Sequence, residues 1–254
     1  MNALGLEVRG AVTYLQKSPG VPVLRGLDLT VRPGAAHGVV GPSGSGKSTL
    51  IRAILGLLRL DAGEITVGDQ RVAGLRGASL ARMVGLVPQD AAGALDPSKP
   101  LWWSLTEGLR IHRMASRARC LEVAASLLCR VGLDEGLMNR LPRELSGGQA
   151  QRVCIARALA LEVGLILADE PTSALDPYLE AEVMDVLRSA ATGATLLLVT
   201  HSLSVVATWC DDVTVLSEGQ AVETGPVGRV LGAPVHPVTA ELVKATKAMW
   251  TAEA

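Results

Sequence analysis

Gly41 to Thr49 read GPSGSGKST, which fills the spacing G-x-x-x-x-G-K-[ST]. A loop built from Gly41, Pro42, Ser43, Gly44, Ser45 and Gly46 can curl tightly, because glycine tolerates left-handed backbone. Its N–H groups then face inward and, with the start of the following helix, hold phosphate oxygens. Lys47 is expected to reach the β and γ phosphates, Ser48 to ligate Mg²⁺, and Thr49 to offer a further contact. Alone, this loop implies nucleoside triphosphate binding and says nothing of its purpose.

A second chemical pair closes LILADE: Asp169 and Glu170. An apolar strand delivers both acids to the strand end where ligands bind in open α/β sheets. Asp169 is expected to hold Mg²⁺ through water, and Glu170 to orient and deprotonate an attacking water. His201 closes the next apolar run, TLLLVTH, and suits a γ-phosphate contact or a catalytic positioner. His37, His112 and His236 lack that setting and read as surface or packing residues.

RELSGGQAQRV raises a different question. Ser146 and Gln149 have the spacing of a capping box. Gly147 and Gly148 then fall in the first helical turn, and glycine inside a helix costs about 1 kcal/mol against alanine. Something other than helix stability must use them.

These groups need a sheet to carry them. Short β-type segments open the chain at 6–8, 27–31 and 36–40, the last running into the phosphate loop. TLIRAILGLL reads as a helix with Ile51, Ile54, Leu55 and Leu58 on one face. GEITVGDQ and MVGLVPQ read as strands, and VGLILADE and ATLLLVTH as strands buried on both faces. DDVTVLSEGQAVETG reads as a hairpin turning at Glu218-Gly219, with a short helical tail beyond. Between about Asp90 and Val163 strand signals vanish and helical patterns dominate. The expectation is an α/β fold in a single domain, 1–254. Residues 1–89 and 164–254 would form the open α/β sheet core that carries the phosphate loop. Residues 90–163 would be an α-helical insertion.

Composition narrows the setting. The 254 residues are 48% hydrophobic, 2% aromatic with no Phe, and carry a net charge of −1. No run of about 18 uninterrupted apolar residues suggests a membrane span. Glu7 and Arg9 interrupt the first apolar stretch, unlike a signal peptide. No basic tract stands out, so nucleic acid is not an expected partner. Cys120, Cys129, Cys154 and Cys210 lack metal-ligand spacing and read as buried, reduced thiols of a cytosolic protein.

In chain order stand Tyr14, GPSGSGKST, Gln89, LSGGQ (Leu145 to Gln149), LILADEP, SALD (Ser173 to Asp176) and His201. Together they resemble the nucleotide-binding subunit of an ABC transporter over essentially the whole chain. The resemblance implies that residues 1–89 and 164–254 form a P-loop NTPase core of RecA-like type with an N-terminal antiparallel β subdomain, and 90–163 a helical signature subdomain. The resemblance implies that Ser146, Gly147, Gly148 and Gln149 contact the γ-phosphate of ATP held by a partner subunit. Two subunits would join head to tail around two ATPs, and Ser146 can cap its helix and serve that phosphate at once. Gln89 resembles the Q-loop glutamine, which reaches Mg²⁺ and water. The implied catalytic set is Glu170, His201 and Gln89, the metal set Ser48, Gln89 and Asp169, and the cofactors ATP and Mg²⁺. Asp176 resembles the D-loop aspartate that crosses the dimer interface. Tyr14 would stack on adenine, or simply pack. Ala35 and His37 depart from the Glu and aliphatic residue expected before the loop.

DAAGALDP, with Asp90 and Leu95-Asp96-Pro97, is similar to the Q-D-x₄-[LF]-N-P pattern of peptide and nickel importers. HPVT, His236 to Thr239, resembles their H-P-Y-T, and an end at Ala254 resembles the shorter nickel-type members. The implied protein is an ATP-hydrolysing motor at the cytoplasmic face of the membrane, importing nickel, a metal chelate or a peptide. Its implied partners are transmembrane permease subunits, a second ATP-binding subunit (a sister ATPase or another copy) and, indirectly, a substrate-binding protein. An exporter subunit and a soluble, non-transport ABC ATPase are the alternatives. Trp102-Trp103 either lines a groove for a cytoplasmic permease helix or is buried within the helical segment.

Overall fold

The structure, a computed structural model, describes residues 2–14 and 20–252, the last five by their backbone. The chain runs β1 (Leu6–Tyr14), β2 (Pro22–Val31), β3 (Ala36–Val40), α1 (Lys47–Ile54), β4 (Ala62–Val67), β5 (Gln70–Arg71), α2 (Gly77–Leu80) and β6 (Val84–Val87). Helices then follow without a strand among the described residues: α3 (Leu101–Leu105), α4 (Glu107–Ile111), α5 (Arg117–Arg130) and α6 (Gly147–Leu159). Strands return in β7 (Leu165–Asp169), α7 (Pro177–Ala190), β8 (Thr195–Val199), α8 (Leu203–Trp209), β9 (Asp212–Ser217) and β10 (Gln220–Pro226). Helices α9 (Val227–Gly232) and α10 (Pro237–Ala252) close the chain, a longer helical tail than the sequence suggested.

Two sheets result. The first is antiparallel, in the order β2-β1-β4-β5. The second has the order β10-β9-β3-β8-β7-β6, parallel except for its last hairpin. That hairpin turns at Glu218-Gly219 as expected, with φ of 48° and 80°, the paired left-handed conformation of a two-residue hairpin turn.

Alternation along β7 and β8 explains their nearly unbroken apolar sequences. Leu165, Leu167, Leu197 and Val199 face a core shared with the first sheet and α1. Ile166, Ala168, Leu196 and Leu198 face the opposite core, shared with the helices of 101–160 and α7. Both faces are therefore dry, and successive residues serve different cores. In α1, Leu50, Ile51 and Ile54 are each at most 3% exposed, and each such burial contributes roughly 1.5–3 kcal/mol. This anchors the helix whose first turn carries Lys47 and Ser48.

The structure corrects several local readings. Helix α1 stops at Ile54, because Gly56 takes φ 66° and turns the chain, leaving Leu57 exposed. Leu55, the helix's last αR residue, still packs on the core of Ile51 and Ile54 as predicted, whereas Leu58 lies beyond the turn. Strands β1 and β2 are longer than read; register shifts after Val8, with Gly10 at φ 56°, hide their alternation. The tryptophan pair divides: Trp102 is in the core, whereas Trp103 is 36% exposed. Cys129 is exposed and Cys210 only partly covered, so the thiols are free but not all buried. His37 is a packing residue as expected, and its surroundings resolve the odd residue choice before the loop. Its Nε2 lies 2.8 Å from the Thr214 hydroxyl, itself 3.0 Å from that of Thr224.

Helix α4 ends against the usual rule. The N–H of Met114 donates to the Leu109 carbonyl (2.8 Å) and that of Arg113 to the Arg110 carbonyl (3.0 Å). This is a Schellman ending, whose left-handed residue is normally glycine. Here Arg113 holds it, at φ 54°. A side chain in that conformation costs about 1–2 kcal/mol.

Candidate functional site

Strands β3, β6, β7 and β8 run parallel, so their carboxyl ends share one edge. From that edge emerge the phosphate loop after β3, Gln89 after β6, Asp169 and Glu170 at β7, and His201 after β8.

The phosphate loop is clamped from outside. The Gly219 N–H donates to the Ser45 carbonyl (3.0 Å), and the Gly219 carbonyl accepts from the Arg25 N–H (2.9 Å). The β9–β10 turn thus ties the loop to β2. Gly46 has φ 104°, and a Cβ there would stand 3.0 Å from Leu24 and 3.3 Å from the Val23 carbonyl oxygen. Glycine is required by the fold itself. Tyr14 pairs with Pro22 at the start of β2, next to Val23, and is 43% exposed.

Several features of the loop suit an anion. Helix α1 has no side-chain N-cap and no acid in its first turn, so its leading N–H groups lack the usual partners. A Cβ on Gly44 would meet nothing within 4 Å. The Ser45 hydroxyl is buried without a hydrogen-bond partner among the described residues. Lys47 donates through Nζ to the carbonyls of Gly41 (2.8 Å) and Pro42 (3.0 Å), laying its charge across the loop. Burial lowers the Lys47 pKa, opposed by the charges of Glu170 and Asp169. Burial, then the neighbouring Glu170, raises that of Asp169. Positive and negative groups therefore meet around one partly dry space, and Ser43, Ser48 and Thr49 flank it in sequence.

Glu170 is the hub. Its carboxylate lies 3.3 Å from His201 Nδ1 and accepts from Gln89 Nε2 at 3.4 Å. Gln89 also donates to the Ser173 hydroxyl at 3.4 Å. Glu170 itself sits at φ 44°, an unusual conformation for a glutamate, and its N–H donates to the Val199 carbonyl (2.8 Å). Strain of this kind costs roughly 1–3 kcal/mol and concentrates at working sites. Glu170 thus has both other residues predicted as catalytic within reach.

The LSGGQ segment stands apart. The Ser146 hydroxyl accepts from the Gln149 N–H (3.3 Å), and Gln149 Oε1 accepts from the Ser146 N–H (3.0 Å), completing the capping box. A Cβ on Gly147 would meet Leu175 at 3.6 Å, and one on Gly148 would meet Leu179 at 3.6 Å, both ordinary contacts. Neither glycine is needed by this chain's own packing. Among the described residues, no hydrogen bond or ion pair joins residues 146–149 to 41–49. Asp176 caps α7, accepting from the N–H groups of Tyr178 (3.1 Å) and Leu179 (3.0 Å).

Sequence reading missed two participants. Ser173 receives Gln89. Gln151, only 4% exposed, donates to the Pro88 carbonyl (3.2 Å) and so fixes the residue before Gln89 from the signature helix. Its signal was a polar side chain on the buried face of α6. Among the described residues no group of three or more His, Cys, Asp or Glu is placed to hold a metal. The set of Ser48, Gln89 and Asp169 has one carboxylate, which is typical of Mg²⁺ sites completed by phosphate and water.

Comparison with known proteins agrees with this geometry. The ABC transporter family pattern matches residues 24–173. A protein of Escherichia coli (strain K12), named as a probable D,D-dipeptide transport ATP-binding protein, is 38% identical over 232 residues, covering 90% of this chain and 72% of the relative. The nickel import ATP-binding protein of Pseudomonas putida (strain KT2440) is 39% identical over 243 residues, covering 88% of each. Among solved structures, the dimeric ATP-binding cassette MJ0796 in a post-hydrolysis state with ADP and Pi aligns with a TM-score of 0.77 at 28% identity. It covers 87% of this chain and 98% of that one. With the phosphate loop, the acid pair and the LSGGQ helix start all in place, this chain belongs to the ABC transporter family.

Proposed function

We propose that this chain is the ATP-hydrolysing motor subunit of an ABC importer, working with separate permease subunits and a second ATP-binding subunit. The observation that carries the hydrolytic part is Glu170, held within reach of both His201 and Gln89 at the strand edge beside Lys47. Glu170 takes the proton of the attacking water, His201 and Gln89 fix its carboxylate, and Lys47 binds the phosphates. Ser48, Gln89 and Asp169 would hold Mg²⁺, which when bound neutralises charge on the β and γ oxygens.

The glycines of LSGGQ support the dimeric reading. Their own chain has room for side chains at both positions, so the constraint comes from outside it. A γ-phosphate held by the facing subunit would approach the Ser146 hydroxyl and the open N–H groups of the first α6 turn. Asp176 would face the same seam, and Tyr14 would lie against adenine. Whether the partner is a sister ATPase or a second copy, the geometry required is the same.

The cargo we assign is a nickel chelate or a short peptide, from the residues after Gln89, the HPVT segment and the kinds of relative the chain matches. Membrane association would be peripheral, through the permease; no described helix is long and apolar enough to span a bilayer.

The test is Glu170→Gln in the complete transporter. ATP hydrolysis should fall by about 100-fold or more while ATP-dependent dimers persist on size exclusion. Turnover within a few fold of the parent would place the base elsewhere. Uptake assays with radiolabelled nickel and with a dipeptide, in cells carrying the parent or Glu170→Gln, then decide the cargo.

A further inference from the structure

Residues 110–119, RIHRMASRAR, carry four arginines and no acid. Ile111 is 68% exposed and Met114 52%, both at the end of α4, and both are apolar side chains with little cover. Arg110 lies over the Trp103 ring, its guanidinium carbon 3.5 Å from the centroid. Arg110 also donates to the Trp103 carbonyl (2.7 Å), and the Arg117 guanidinium carbon lies 5.6 Å from the Trp102 ring centroid. Arg113 and Arg117 are exposed, and among the described residues neither they nor Arg110 forms an ion pair. The tip is held out by the Schellman ending described above, and its left-handed position is occupied by a charged residue where glycine would be easier. A local rule broken without a compensating contact inside the chain marks a position kept for something outside it.

Exposed apolar residues on a turn, an aromatic ring behind them and arginines without an acidic partner around them form the pattern of an interfacial membrane contact. We propose that the tip of α4, with Ile111 and Met114 set among Arg110, Arg113 and Arg117, docks directly on anionic phospholipid headgroups. The arginines face phosphate oxygens and the two apolar side chains enter the headgroup boundary. Charge complementarity selects this occupant: nothing acidic within 110–119 offers a basic partner a foothold, and nucleic acid would gain nothing from Ile111 and Met114. The tip also stands clear of the nucleotide edge. Gly108 of α4 packs on Leu161, and the space beside it is lined by Val84 and Gly85, at the opposite end of β6 from Gln89. The proposal rests on the membrane-associated reading for its setting, but its test needs no permease.

The purified full chain is floated with phosphatidylcholine vesicles and with vesicles containing about one third phosphatidylglycerol. It should rise with the anionic vesicles only, and salt should release it. Arg113→Glu with Arg117→Glu should abolish flotation; each neutralised arginine alone should weaken it about fivefold. Ile111→Ser with Met114→Ser should weaken it with all charges kept. Arg113→Gly supplies a variant that must fold: it should raise the melting temperature and still lose affinity. Basal ATP hydrolysis should stay unchanged in all of them, which separates this failure from failure of the motor reading. Equal binding to neutral vesicles, flotation untouched by the arginine changes, or equally salt-sensitive capture by a short DNA duplex would overturn the proposal. So would a parent chain that fails to rise with the anionic vesicles.

Discussion

At Gly46, before α1, φ is 104° and a side chain would press on Leu24 and the Val23 carbonyl. At Gly147 and Gly148, in the first turn of α6, the backbone is helical and a Cβ would make contacts of 3.6 Å. Both segments combine glycine, serine and a helix N-terminus, yet their glycines answer to different masters. The first set is required by the loop's own path between β2 and the β9–β10 turn. The second is tolerated by the chain and is explained by a body arriving from outside. A site split between two subunits has this form: one half built to hold its ligand rigidly, the other kept open for approach.

The sharpest way to break this contrast is Gly46→Ala. The left-handed backbone alone should destabilise the chain by about 1–3 kcal/mol, seen as a lowered denaturation midpoint, and ATP affinity should fall with it. A Gly46→Ala chain as stable as the parent would remove the claim that the loop's glycines serve its own fold.

Acid should expose the same asymmetry. His37 lies in β3, the strand feeding the phosphate loop, and burial pushes its pKa down to about 4. Between about pH 6.5 and 4 the unfolded chain takes up a proton that the folded chain refuses. Stability then falls with falling pH by up to about 1.4 kcal/mol per pH unit, roughly 2 kcal/mol by pH 5. Hydrogen exchange at pH 5 should quicken in β3 and the phosphate loop before the start of α6. His37→Gln should flatten that pH dependence; an unchanged slope would mean that His37 does not set it.

What could be read without coordinates followed from spacing. The phosphate loop, the acid pair and LSGGQ each lie within ten residues, and their chemistry is fixed by local order. The two-faced burial of β7 and β8 was legible because a strand dry on both sides has almost no polar residue. Features depending on backbone turns were not legible: the end of α1 at Gly56, the register shifts in β1, the strained Glu170 and the arginine closing α4. The tryptophan pair falls between these cases. Neighbours on a helix point about 100° apart, so one facing the core and one facing out was the geometric default. Gln151 shows the other limit: its role is to hold a carbonyl 63 residues away, and composition carries no trace of that partner.

The smallest expected effect is the most discriminating, because its two readouts should move in opposite directions. Replacing Gly147 and Gly148 together by alanine removes backbone freedom from the unfolded chain and improves helix propensity. The Cβ atoms would find ordinary contacts with Leu175 and Leu179, and the Ser146–Gln149 capping box would remain. The isolated chain should therefore gain up to about 1 kcal/mol, read from a urea or thermal transition. In the assembled transporter the same methyl groups would stand where a facing phosphate must approach the α6 amides, so ATP turnover should drop while ATP binding to the isolated chain stays unchanged. Loss of stability would show that α6 needs its glycines after all. A gain in stability with full turnover would show that nothing approaches them, and the division between a rigid half-site and an open one would fail.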